Sequence, residues 1–153
     1  MTDNGSPGQE SLAAGRVEIA VVTDAVLDVG AHEKAVLRSG AGAHVVFSGV
    51  VRDRDHNRAV VALEYEVHPT AEAVLRGVAE QFAAEPAVHA IAVSHRYGPL
   101  KVGDVALVAA VSCAHRREAF EVCARLVDEV KRQLPIWKRQ VFADGTDEWV
   151  NCA

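Results

Sequence analysis

The sequence has few cysteines, no long apolar run and no excess of positive charge. Its 153 residues contain three cysteines, an odd and sparse set that excludes a disulfide framework and favours the reducing cytoplasm. No apolar stretch approaches the roughly 18 residues of a membrane span, and the first 16 residues lack the basic start and apolar core of a secretory signal. The net charge of −5 excludes a general nucleic-acid coat, which needs surplus lysine and arginine.

The common motifs for nucleotides, metals and nucleophiles are also absent. There is no P-loop and no GxGxxG, so no nucleotide cofactor is predicted. There is no CxxC or HExxH and no other ligand spacing among the histidines and cysteines, so no metal site is predicted. No GxSxG elbow occurs. Cys113 stands near His115 and is either a nucleophile beside a base or a small buried residue at a strand end.

Length and pattern predict one folded domain. Residues 1–15 are rich in Gly, Ser, Pro, Asn and Gln and are expected to form a flexible tail, which leaves 16–153 as a single domain. Apolar periodicity, proline and glycine predict strands at 17–22, 44–51, 60–67, 88–95 and 104–112, helices at 28–38, 69–85 and 115–134, and two short strands between 136 and 150.

The order of these elements indicates the fold class. The polar segment 52–58 is expected to form a hairpin loop that returns strand 60–67 beside strand 44–51, and 97–103 is expected to form a second hairpin loop. Hairpin-linked strands interrupted by helices favour an α+β fold with a largely antiparallel sheet. In the long helix, three- and four-residue spacing predicts a buried face formed by Ala119, Phe120, Cys123, Leu126, Val127, Val130 and Leu134.

Several basic residues stand beside the ends of predicted elements. Arg52 follows a strand, where its planar guanidinium is suited to bind phosphate or carboxylate. His115 and Arg116 begin the long helix, whose unpaired N–H groups favour an anion. Lys131 borders the apolar face of the same helix, and Lys138 lies beyond its end.

Each of these residues also has an ordinary structural explanation. A surface arginine, an exposed pair at a helix end and a lysine whose stem covers apolar surface are all common. The residue types and their spacing therefore lead only to a basic pocket for a phosphorylated or carboxylated small molecule.

Five stretches of the chain together form a recognisable pattern. They are FSGVVR at 47–52, LEYE at 63–66, HRYGPLKVG at 95–103, VSCAHRREAF at 111–120, and 131–138 with its PIWK. In this order and spacing they resemble the large, catalytic subunit family of molybdopterin synthase, over about residues 17–150. The resemblance implies a single-domain α+β fold of the α/β-hammerhead type and makes 16–153 the catalytic domain.

The resemblance also implies an activity. The family is a cytoplasmic sulfurtransferase of molybdenum cofactor biosynthesis, which converts cyclic pyranopterin monophosphate into the dithiolene of molybdopterin. The sulfur arrives as a thiocarboxylate on the C-terminal Gly-Gly of a small ubiquitin-like subunit, so no catalytic cysteine and no cofactor is required. Two large subunits form a homodimer within a heterotetramer that has one small subunit at each end.

The same resemblance assigns roles to residues by motif position. It implies that Lys131 and Lys138 are catalytic, the former beside the carbonyl of the partner's tail. It implies that the substrate phosphate is held by Arg52, His115 and Arg116, the latter two donated across the dimer interface. Val50, Val51, Arg139 and Gln140 stand at further positions of substrate contact. Where the family usually has Glu, this chain has Gln140, and a neutral amide would orient a lysine less strongly than a carboxylate.

Two other functions remain open at the level of sequence. One is a non-catalytic docking module for a ubiquitin-like Gly-Gly tail. The other is a lysine-dependent lyase acting on a phosphorylated carbonyl compound, with Lys131 as the Schiff-base amine. The full set of basic residues disfavours the docking module, because an extended tail is held mainly by backbone pairing.

Overall fold

Nine strands and three helices lie between residues 16 and 150, the part of the chain that the computed structural model describes. The predicted tail at 1–15 lies outside the described residues, as do 151–153. None of the three helices is long and apolar enough to cross a membrane. In chain order the elements are β1 (Arg16–Thr23), α1 (Val29–Ala35), β2 (Ala43–Val50), β3 (Arg54–Asp55), β4 (Arg58–Val67), α2 (Ala71–Ala83), β5 (Val88–Arg96), β6 (Gly98–Lys101), β7 (Val105–Cys113), α3 (Arg116–Gln133), β8 (Ile136–Phe142) and β9 (Asp147–Val150).

The first sheet has four strands in the order β1-β5-β7-β2. β1 runs parallel to β5, whereas β5 and β2 both run antiparallel to β7. The two central strands are buried along almost their whole length because helices cover both faces. This explains why they consist mainly of alanine and β-branched residues and show little polar alternation.

Each face of this sheet carries a different layer of helices. Ala90, Ala92 and Ala110 form one face and pack with Val36, which follows α1. The small alanine side chains allow a short helix to approach the sheet closely. On the opposite face, larger residues such as Ile91 pack in the main core with residues from α2 and α3. The core therefore lies between the sheet and the two longer helices.

The second sheet contains β3, β4, β8 and β9 in that order, with β6 also paired to β4. All its pairs are antiparallel, so the α+β class is confirmed. The prediction that strand 60–67 pairs with strand 44–51 is wrong: β2 pairs with β7, and β4 belongs to the second sheet. The reason is a separate two-residue turn at His56 and Asn57, both with positive φ (48° and 64°), which closes a β3–β4 hairpin.

The connector between β5 and β7 also differs from its predicted form. The sequence predicts a hairpin loop over 97–103, and β5 and β7 are indeed antiparallel neighbours. Within that loop, however, β6 pairs with β4. This pairing joins the two sheets, and it leaves a gap between them at the end of β2.

The buried face of α3 is predicted correctly except at Phe120. The stripe formed by Ala119, Cys123, Leu126 and Val130 is buried, but Phe120 is 63% exposed. At about 100° per residue, Phe120 lies at the margin of the stripe, on the side where β2 ends the sheet. Within residues 16–150 no further strand lies beyond β2 to cover this ring.

A matched pair of leucine substitutions tests this account of the core. Leu126 is fully buried, whereas Leu37 is 50% exposed. We expect Leu126→Ala to lower the free energy of unfolding by about 2–5 kcal/mol, because the lost methyl groups leave a cavity. Leu37→Ala should cost less than about 1 kcal/mol. Urea unfolding measures both, and equal losses would contradict the placement of α3.

Candidate active site

A cavity of about 330 Å³ opens between the two sheets. The end of β2, the β3–β4 hairpin, the middle of β8 and the last turn of α3 contribute to its wall. Its size is within the usual range for a small-molecule site. Six of the predicted site residues line it: Val50, Val51, Arg52, Lys131, Lys138 and Gln140.

The two lysines reach the cavity from consecutive elements. Lys131 lies in the last turn of α3, and Pro135 then separates the helix from β8. Along β8 the side chains alternate between the two faces of the sheet, so Lys138 and Gln140 share the cavity face. Tyr65 of β4 stands directly opposite Lys138. The turn at Pro135 thus brings together two lysines whose sequence spacing alone did not predict convergence.

Arg52 is directed by the backbone that follows β2. The register with β7 shifts between Gly49 and Val50, as is common where a glycine lies inside a strand. The N–H of Val51 donates to the carbonyl oxygen of Asp104 (2.9 Å), and the carbonyl of Val51 accepts from Gly103 (2.8 Å). These two hydrogen bonds fix the backbone at Val51, whose side chain is buried. The next residue, Arg52, therefore lies at the cavity wall.

A carboxylate that sequence reasoning missed also lines the cavity. The side-chain amide of Gln140 donates to Oδ2 of Asp55 at 2.6 Å. This hydrogen bond is the main reason that the pKa of Asp55 is lowered, and the charges of His56, Lys138 and Arg52 lower that pKa further. The sequence position where the family usually has Glu therefore lies against an aspartate here. Asp55 belongs to the charged segment 52–58, for which the sequence predicts only a loop. The β3–β4 hairpin is what brings Asp55 against β8.

His95 forms part of the cavity floor and was also missed. Its side chain is 1% exposed, Nδ1 donates to the carbonyl oxygen of Arg96 (2.7 Å), and its ring meets that of Tyr65 edge-on at 5.0 Å. Burial lowers the pKa of His95 to about 4, and the positive charge of Lys131 contributes to this shift. The imidazole is therefore neutral at pH 7.

Three predicted residues lie away from this cavity within a single chain. Arg116 begins α3, about 22 Å along the helix axis from Lys131 at 1.5 Å per residue, and His115 precedes it as the N-cap. Arg139 points to the opposite face of β8, where Nε donates to Oδ2 of Asp147 at 2.7 Å. Of the three residues that were predicted to hold the phosphate, only Arg52 lines the cavity of a single chain.

The cysteines offer no nucleophile in the described part of the chain. Cys113 and Cys123 are buried, and burial raises the pKa of each thiol to about 11. Both are therefore protonated at neutral pH, when the thiolate is the reactive form. Cys152 lies outside the described residues. Among residues 16–150 no three histidine, cysteine or acidic side chains are placed to hold a metal ion.

The charge of the lining determines what the cavity can do. Among the described residues, four cationic side chains, those of Arg52, Arg54, Lys131 and Lys138, share the wall with one carboxylate, that of Asp55. An excess of positive charge in a concave, partly apolar site favours anionic ligands such as phosphate or thiocarboxylate. The same fixed cations stabilise negative charge that develops on a carbonyl oxygen during group transfer.

The low pKa of His95 leads to a testable dependence of stability on pH. Unfolded His95 takes up a proton near pH 6.5, whereas the folded residue does so near pH 4. Its contribution is therefore complete above pH 6.5 and is lost as the pH falls towards 4. Between pH 8 and pH 5 this single group should lower the free energy of unfolding by about 2 kcal/mol.

The non-titrating variant His95→Gln should lack this part of the pH dependence, whatever its stability at pH 8. Exposed His68 provides the control, because His68→Gln should leave the acid-side loss unchanged. Urea unfolding of the three proteins at both pH values measures the effect. An equal loss in wild type and His95→Gln would contradict the buried, neutral imidazole.

Comparison with known sequences gives the chain a family. The family model described as MoaE protein matches residues 22–133. The molybdopterin synthase catalytic subunit of Nostoc sp. is 40% identical over 115 residues, which are 74% of this chain and 70% of that protein.

Solved structures agree with the sequence comparison. A crystal structure of molybdopterin synthase from Staphylococcus aureus has a TM-score of 0.78 at 28% identity and covers 88% of this chain and 97% of that one. A chain from the complex of subunits 1 and 2 of molybdopterin-converting factor from Helicobacter pylori shares the fold, with a TM-score of 0.64 at 18% identity and 88% coverage of each chain. The resemblance in the sequence motifs is thus confirmed, and the chain belongs to the MoaE family of molybdopterin synthase catalytic subunits.

Proposed function

We propose that this chain transfers sulfur from the C-terminal thiocarboxylate of a small ubiquitin-like subunit to cyclic pyranopterin monophosphate, in the cytoplasm, and so forms the dithiolene of molybdopterin. The observation that carries the proposal is the cavity with four cationic side chains, which suits a phosphorylated substrate and an anionic sulfur donor. The buried, protonated thiols of Cys113 and Cys123 agree with a sulfur that is brought by another protein.

The two lysines have separate tasks in this proposal. The thiocarboxylate sulfur forms a C–S bond to a substrate carbon as a C–O bond of that carbon breaks, and the departing oxygen leaves as a phosphate oxygen or as water. Water then cleaves the acyl C–S bond, so that the tail leaves as a carboxylate and the sulfur stays on the pterin. Lys131 polarises the acyl carbonyl during that cleavage. Lys138 contacts the pterin and stabilises negative charge as the C–S bond forms. A Gly-Gly end has no side chains, so it needs little space to enter the cavity that both lysines line.

The phosphate site needs residues that one chain does not bring to the cavity. β2 is the outer strand of the first sheet, and its outer edge has no strand partner within residues 16–150. Its first residue, Ala43, lies opposite Cys113, beside the start of α3, and Arg52 follows its other end. Antiparallel, twofold pairing of β2 with the same strand of a second copy places the start of the partner's α3 near Arg52. His115 and Arg116 of the partner subunit then complete the phosphate site.

An apolar groove beside β2 supports this dimer. It measures about 350 Å³ and lies between β2 and α3. Phe120, which is 63% exposed, forms one wall, and Phe47 and Val127 also contribute. An exposed ring beside an unpaired strand edge favours coverage by another protein surface. A second copy that pairs along β2 would cover both, and one small subunit at each outer end would give a heterotetramer.

Sulfur transfer in a purified mixture tests the proposal. The chain is combined with thiocarboxylated small subunit and cyclic pyranopterin monophosphate, and dithiolene product is measured for wild type, Lys131→Ala and Lys34→Ala. We expect product from wild type and a loss of at least about 100-fold for Lys131→Ala, because the carbonyl is no longer polarised. Lys34 is an exposed lysine in α1, and its replacement should leave the rate unchanged.

Two results would overturn the proposal. A folded wild type that binds the small subunit but forms no product would indicate a docking module. Trapping of the substrate on Lys131 by borohydride, without any need for the small subunit, would indicate a lyase. Equal rates for Lys131→Ala and wild type would remove Lys131 from the mechanism.

A further inference from the structure

The cavity contains one carboxylate, and that carboxylate is held firmly. Asp55 is the single acidic residue among those that line the cavity in the described chain. Its Oδ2 accepts a 2.6 Å hydrogen bond from Gln140, whose side chain is 3% exposed. The bond is short and links a loop hairpin to the middle of a strand 85 residues away. Asp55 therefore has a defined position in the wall.

The backbone around Asp55 adds to this rigidity. Asp55 is the last residue of β3 and stands opposite Arg58 of β4. The intervening residues, His56 and Asn57, both adopt positive φ, as a tight two-residue hairpin requires. A hairpin of this kind leaves little freedom for the carboxylate at its end.

A carboxylate is unfavourable in a site whose ligands are anionic, because it repels both the phosphate and the thiocarboxylate. Its presence therefore calls for a compensating interaction with one of the cations. His56 Nε2 lies 3.8 Å from Oδ1 of Asp55, but the His56 side chain is 89% exposed. On the cavity wall the candidate is Lys138, which is two residues from Gln140 on the same face of β8 and about 7 Å along the strand. Its charge is also among those that lower the pKa of Asp55, after the Gln140 hydrogen bond and the charge of His56.

We propose that Asp55, fixed by Gln140, is a positioning residue that holds the ammonium group of Lys138 towards the substrate. This inference rests on the proposed sulfur transfer and adds a residue to it. Asp55 does not touch the reacting atoms. It acts through Lys138, and Gln140 is required because its neutral amide donates a hydrogen bond to the carboxylate without adding a second negative charge.

Two isosteric substitutions separate charge from hydrogen bonding. Asp55→Asn keeps an oxygen that accepts from Gln140 but removes the negative charge. In the double variant Asp55→Asn with Gln140→Glu, the carboxylate is at position 140 and accepts a hydrogen bond from the amide at position 55. One negative charge and one hydrogen bond are thus restored, with the donor and the acceptor exchanged. Asp53→Asn is the control, because Asp53 is an exposed neighbour that is not part of the cavity wall.

We expect Asp55→Asn to lower kcat by at least about tenfold, because the catalytic lysine is no longer held in place, with little change in KM or in thermal unfolding. The double variant should recover most of the lost kcat, and Asp53→Asn should match wild type. Wild-type kcat in Asp55→Asn would overturn the proposal. A double variant no faster than Asp55→Asn would show that the charge is not what matters.

A second measurement does not depend on sulfur transfer. An NMR titration of the Asp55 carboxyl group should show a higher pKa in Lys138→Met than in wild type, because a neighbouring positive charge has been removed. Lys34→Met should leave that pKa unchanged. An unchanged pKa in Lys138→Met would refute the interaction between Asp55 and Lys138. If wild type makes no dithiolene while the titration behaves as expected, the proposed function fails and the Asp55–Lys138 interaction stands.

Discussion

The antiparallel pairing of β5 with β7 is the interaction on which the rest of the structure depends. Both strands are buried on both faces, because the three helices pack against them, α1 on one face and α2 and α3 on the other. The loop that joins them contains β6, which pairs with β4 and so attaches the second sheet. The cavity is the gap that this attachment leaves, and His95, at the end of β5, forms part of its floor. The pairing of β5 with β7 thus determines both the packing of the core and the geometry of the site.

The elements predicted best from sequence are those with long, regular patterns. The α3 stripe apart from Phe120, the end of α3 before Pro135 and the two strands between 136 and 150 are observed. The pairing of β2 was predicted wrongly. A short polar loop after a strand suggests a hairpin with the next strand in sequence, whereas the observed partner, β7, is distant in sequence. Phe120 was misplaced for a related reason, since burial at the margin of a stripe depends on whether a further strand lies beside it.

The candidate site was predicted only in part from the sequence. Arg52, Lys131 and Lys138, which the motif positions indicated, line one cavity, because the end of β2, the last turn of α3 and β8 converge there. Asp55 and His95 were missed because their importance arises from tertiary contacts, a hydrogen bond to Gln140 and burial beside Tyr65. No pattern within one strand or loop reports such contacts, since the partners lie 85 and 30 residues away.

The central claim is that one active site is built from two copies of the chain, and complementation between inactive variants tests it most directly. A heterodimer is purified from differently tagged Lys131→Ala and Arg116→Ala chains, and its sulfur transfer is measured with thiocarboxylated partner. One of its two sites then has both residues intact, so the account predicts about half of wild-type activity, as twofold symmetry requires. A heterodimer of Lys131→Ala with Lys138→Ala should stay inactive, because both lysines come from the same chain. No recovery in the first heterodimer would contradict a shared site.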